Sequence, residues 1–278
     1  MTYLRHDALE IAKDCPFIAI TFGGFGSHLG VVFQSAKDGV QVLHLAGHYD
    51  LRADAFPPPE QCWIATPVSL PPLTAKAIVG IIRSLAKRTP KIPYGLNFLK
   101  ANGSFDTSGR YTAPRGSLGL TCATFITTLF DDLRAPLVEQ SNWAENPANI
   151  KWAHAVCDSL ERSGKVSHEH IEAVRSNING LRIRPEEVAV AADAPYTTRP
   201  IDYRNASSNA HLIMQTLISS CPVPQRIYQI VMEAAQPVDH EMASIGVVND
   251  SSNVSRPNLA GNANPNGISN SDVPSALS

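Results

Sequence analysis

The stretch PFIAITFGGFGSHLGVVFQSAKDGVQVLHLAG, residues 16–47, decides the fold. Its runs PFIAITF, HLGVVF and VQVLHLAG are rich in β-branched residues and are separated by a glycine-rich turn (Gly23, Gly24, Gly26) and by SAKDG. Short apolar runs bounded by turn residues read as strands, the last two joined as a hairpin. CWIATPVSL, after the proline run Pro57 to Pro59, reads as another strand. An antiparallel sheet is therefore expected first, with helices after it.

Downstream of Pro71 and Pro72, the residues Leu73, Ala77, Ile78, Ile81, Ile82 and Leu85 recur at helical spacing until Pro90. A second helix carries Leu120, Ala123, Ile126, Leu129, Phe130 and Leu133, ends before Pro136, and holds Cys122 in its first turn. Between them, Lys91 to Gly116 is rich in Gly, Asn, Ser and Pro and reads as a long loop of the kind that shapes a functional cleft. Helical patterns resume from about 142 to 172 and from about 210 to 235, with Trp143 and Trp152 as anchors to the core. Beyond Pro237 the composition is too poor in large apolar residues to offset ordering entropy, and a disordered tail is expected. The expected architecture is α+β: a catalytic domain at 1–136, an accessory helical region at 137–236 and a tail at 237–278.

Among 278 residues, 23 are basic and 25 acidic, for a formal charge of −2. That balance gives no electrostatic footprint for nucleic acid or an anionic membrane. Asp7, Glu10, Lys13 and Asp14 interrupt the start of the chain, so no Sec-type signal is expected. No apolar run approaches the roughly 18–20 residues of a membrane-spanning helix, so no stable membrane anchor is expected. A soluble, cytoplasmic protein in a reducing compartment is the default expectation, with export by another route left open. The five cysteines, at 15, 62, 122, 157 and 221, are odd in number and widely spaced, which suggests neither a disulfide framework nor a zinc ribbon.

Cys122 is the candidate nucleophile, because a cysteine in a helix's first turn lies near the positive end of the macrodipole, where the thiolate is favoured and its pKa falls. His28 and His44 supply a base and an orienting group. Their numbers share parity, so they lie on one face of the hairpin: directly opposite with a three-residue loop at 35–37, or about 7 Å apart diagonally if Gly30 faces His44. A thiol attacking a carbonyl needs such a base, held in one tautomer by a third group. The backbone N–H of Cys122 and the hydroxyls of Tyr94 and Tyr111 are oxyanion candidates. His28, His44, His48 and Cys122 could alternatively hold zinc, although the sequence lacks tight ligand pairs. FGGFGS lacks the Gly-Lys-Ser/Thr of a phosphate loop and reads as a turn. His168 and His170 in SHEHIE read as solvated surface at a helix start capped by Ser167.

The order S-H-L-G-V-V-F, then V-L-H-L, then a distant L-T-C-A-T-F-I at a helix start resembles the lecithin:retinol acyltransferase-like branch of the NlpC-type papain-fold superfamily, over roughly residues 15–135. The resemblance implies a circularly permuted papain-like core, with His28 as general base, His44 as orienting residue and Cys122 as nucleophile. No cofactor and no metal are expected. Thr121 before the cysteine and Ala123 and Thr124 after it differ from the lipid-acting members. The expected reaction is therefore cleavage of an amide, of peptide or cell-wall type, through a thioester. Acyl transfer to a lipid or small molecule, or a binding module without turnover, are the alternatives.

Overall fold

The computed structural model describes residues 3–5, 7, 10, 13–59, 61–96, 104–113 and 117–236. The expected tail at 237–278, and parts of the loop from Lys91 to Gly116, lie outside them.

Six strands form one antiparallel sheet: β1 (Leu4–Arg5), β2 (Phe17–Gly23), β3 (Gly26–Gln34), β4 (Val40–Gly47), β5 (Asp50–Ala55) and β6 (Ile64–Pro67), in the order β1-β6-β2-β3-β4-β5. β2 and β3 form a tight hairpin closed at Gly23 and Gly26, so FGGFGS is a turn. The β3–β4 pairing runs from Gln34↔Val40 to Val31↔Leu43, around a five-residue connection at 35–39. Continued along the strands, this is the register that sets Gly30 against His44. A Cβ at Gly30 would stand 2.5 Å from Val42 Cγ2 and 3.2 Å from His44 Cβ, so only glycine lets the strands meet there.

Strand alternation sorts the side chains. Ile18, Ile20, Leu29, Val31, Leu43 and Leu45 face the main core, which is covered by α1 (Pro72–Arg88), α2 (Cys122–Asp132) and α5 (Pro185–Asp193). Phe17, Ala19, Val32 and Val42 face the other way, onto Trp63 and Phe56. β5 was not expected from the sequence, although Asp50, Arg52 and Asp54 alternate with Leu51, Ala53 and Ala55 at the period of a strand. Helix α1 begins at the expected prolines, but its buried stripe is Ala75, Ile78, Val79, Ile81, Ile82 and Leu85, and Leu73 is 82% exposed. Inside the long loop, β7 (Ser104–Phe105) and β8 (Tyr111–Thr112) form a two-stranded ribbon.

The helical region comprises α3 (Pro147–Ser163), α4 (His168–Arg175), α5, α6 (Tyr203–Ser220) and α7 (Tyr228–Ala234). The described residues fall in one compact unit, so packing does not break at residue 136. Helix α5 packs against β2, β3, β6, α2 and α6. The sequence reading missed it because it is buried almost all round, with Val188, Ala189, Ala191 and Ala192 inside, and so carries no amphipathic period. Tyr3 donates from its hydroxyl to the Ala189 carbonyl at 2.9 Å and ties the N-terminal strand to this helix.

One cysteine expectation is corrected. Cys62, ahead of β6, is bridged to Cys221 at the end of α6, 159 residues away. Pairing between positions so distant leaves no spacing signature. The bridge fastens the end of the helical layer to the sheet and restricts the unfolded chain over a long loop. Replacing both cysteines by serine should lower unfolding free energy by roughly 2–5 kcal/mol. Urea titration of parent and double variant without reductant checks this, and coincident midpoints would contradict it.

Candidate active site

Helix α2 starts on a reciprocal cap: Thr121 Oγ1 accepts from the Thr124 N–H at 3.1 Å, and Thr124 Oγ1 accepts from the Thr121 N–H at 2.7 Å. This fixes Cys122 as the first helical residue. Just before it, Leu120 makes a parallel bridge to Tyr94, with the Leu120 N–H donating to the Pro93 carbonyl at 2.9 Å. Gly119 makes that approach possible: its φ is +105°, and a Cβ there would collide with the Pro93 carbonyl.

His28 on β3 and His44 on β4 share the sheet face of Trp63, each ring edge-on to the indole with centroids 6.1 Å apart. His28 Nε2 lies 2.8 Å from His44 Nδ1, and His44 Nε2 lies 2.8 Å from Asp54 Oδ2. Tautomers follow from the chemistry of the end group. A carboxylate accepts, so His44 carries its proton on Nε2 and accepts at Nδ1. His28 must then carry its proton on Nε2, which leaves Nδ1 with a bare lone pair. Asp54, absent from the sequence reading, is thus the residue that sets the chain's polarity.

His28 and Cys122 line one cavity of about 110 Å³, together with Tyr94, Thr121, Trp152, Arg182 and Ile183. Among the described residues no hydrogen bond joins thiol to imidazole. The β3–β4 pairing ends at Val31↔Leu43, and Cys122 comes against the β3 backbone at Leu29, next to His28 in sequence. Burial pushes the Cys122 thiol up, outweighing hydrogen bonds from Leu29, Ala123 and its own backbone and the charge of Arg182. This corrects the expectation of a depressed thiol: the macrodipole is present, but desolvation is stronger. Burial, with the neighbouring His44, lowers His28 to about 3. Both groups therefore rest uncharged near neutral pH.

Tyr94 lines the cavity, and burial with the nearby Cys122 raises its phenol well above the ordinary value. Tyr111 does not line it; its ring packs on Phe105, 5.3 Å away, which in turn packs on Phe125 of α2. Two further histidines hold the Tyr94 backbone. Its N–H donates to His48 Nδ1 at 3.2 Å, and its carbonyl accepts from His170 Nε2 at 2.9 Å. The two rings lie 4.6 Å apart. His170 is thus a buttress of the site and not the solvated surface residue the sequence suggested, whereas His168 is largely exposed. His48 is spent on this role, and no group of three or more metal-ligating side chains is assembled among the described residues.

The protonation state has a stability consequence. In the unfolded chain His28 takes a proton near the ordinary 6.5, but in the folded chain only near 3. Between those values the unfolded state binds more protons, so this contribution is full above about 6.5 and drains as pH falls toward 3. His48, lowered to about 4 by burial and by His170, acts in the same direction. Urea midpoints measured from pH 7 to 4 should fall more steeply for the parent than for His28→Gln; parallel slopes would contradict a neutral buried His28.

No family model matches the chain, and no curated protein or solved structure is significantly similar to it.

Proposed function

We propose that the chain is a thiol-dependent hydrolase that cleaves an amide, of peptide or cell-wall type, through a thioester, on the permuted papain-like plan its sequence resembles. The observation that carries this reading is the hydrogen-bonded run Asp54–His44–His28, which leaves a bare Nδ1 lone pair on a residue lining the same cavity as Cys122. A structural histidine pair has no need of a polarity that ends beside a helix-start thiol.

Catalysis begins from the neutral pair. As Cys122 Sγ attacks the substrate carbonyl, His28 Nδ1 takes the thiol proton, and the imidazolium is stabilised through His44 by Asp54. The Cys122 backbone N–H and the Tyr94 hydroxyl support the developing oxyanion. His28 returns its proton to the leaving amine as the C–N bond breaks. Water then attacks the thioester with His28 again as base, which releases the acid and restores the thiol. The Cys62–Cys221 bridge favours an oxidising compartment over the cytoplasmic default.

Incubation with p-nitrophenyl acetate, followed by peptide mass spectrometry, tests the scheme. An acetyl group should appear on Cys122 with a burst of nitrophenolate, and Cys122→Ala should show neither. His28→Gln should slow acylation on the order of 10²–10⁴-fold. Asp54→Asn, which can donate to His44 and reverse the tautomers, should slow it by about tenfold or more. A folded parent whose Cys122 stays unacylated would refute the proposal.

A further inference from the structure

Arg182, in the segment between α4 and α5, is held from both ends by the two tryptophans. Its carbonyl accepts a hydrogen bond from Trp143 Nε1 at 2.9 Å. Its guanidinium carbon stands 3.4 Å from the Trp152 ring centroid. The side chain lines the Cys122–His28 cavity and also a neighbouring cavity of about 680 Å³ that shares Phe25, Ser27 and Trp152 with it. Arg182 therefore stands where the two spaces adjoin.

Among the described residues, its guanidinium makes no hydrogen bond and has no carboxylate within ion-pair distance. The nearby glutamates are engaged elsewhere. Glu187 takes the Arg184 backbone N–H at 2.7 Å and Nε at 2.8 Å, while Glu186 accepts from Ser27 Oγ at 2.6 Å and faces Arg184 Nη1 at 3.5 Å. They offset the charge of Arg182 at longer range without using its N–H donors. Burial opposes that charge and lowers its pKa. A planar fork fixed by stacking, partly buried in the cavity wall and without a protein partner among the described residues, matches an anion that accepts two parallel N–H bonds, and at an acyl-transfer site the anion an acyl group carries is a carboxylate.

We propose that Arg182 binds a carboxylate on the acyl part of the substrate, close to the scissile carbonyl, so that the enzyme acts on anionic acyl groups. The proposal rests on Cys122 being the nucleophile of this cavity. It makes Arg182 a specificity residue, with the adjoining cavity receiving the rest of the chain that bears the carboxylate.

Two alkylating probes of nearly equal size separate the ideas. Iodoacetate and iodoacetamide each form an Sγ–CH₂ bond as iodide leaves, with the thiol proton passing to base, and differ only in the carboxylate. Their rates at Cys122, read by peptide mass spectrometry, are compared with their rates at N-acetylcysteine in the same tube. The parent should favour iodoacetate by on the order of tenfold beyond the free thiol, the size of one charge-assisted hydrogen bond. Arg182→Gln should return the ratio to that of the free thiol, and Arg182→Lys should keep part of the preference. The parent ratio alone decides the matter if a variant fails to fold. A reactive Cys122 with the free-thiol ratio overturns the role of Arg182 and leaves the thiol reading standing. A Cys122 inert to both reagents overturns both.

Discussion

A carboxylate can only accept hydrogen bonds, and the state of the whole site follows from that limit at Asp54. Two contacts of 2.8 Å carry its polarity through His44 to His28 and fix which nitrogen of each ring bears a proton. The sheet exists in a form that permits this. Gly30 lets β3 and β4 approach closely, Trp63 backs both rings, and β5 delivers Asp54 two residues along from Arg52, the residue facing His44. Loss of any of these would leave the imidazoles present but unaligned.

Burial governs reactivity as much as it governs stability. It raises the thiol and lowers the imidazole, so both rest neutral in the cavity they line, and in the proposed mechanism the proton moves only when a carbonyl arrives. On the proposed function, Cys122 stays protected until substrate supplies the electrophile. Arg182 is only partly buried, and its guanidinium N–H donors, free of protein partners among the described residues, are open to a ligand in the cavity.

The helical layer completes the site. Arg182, Ile183 and Trp152 line the cavity with Cys122, α5 backs the sheet, and His170 of α4 braces the Tyr94 backbone against His48. The Cys62–Cys221 bridge holds the end of this layer on the sheet that bears the histidines.

The hairpin, the capped helix carrying Cys122 and the shared face of His28 and His44 were legible because each depends on residues a few positions apart, whose period and turn chemistry are written locally. β5 was equally local; its alternation was there to be read. Asp54's role, the Arg182–Trp152 stack, the His48–His170 clamp and the Cys62–Cys221 bridge were not legible. Each joins residues brought together by the sheet order and the packing of helices, and no spacing in the chain records such distances. The sign of the Cys122 shift belongs with them: position in the helix gave the dipole, but only the tertiary structure decided how deeply the thiol was buried, and burial was the larger effect.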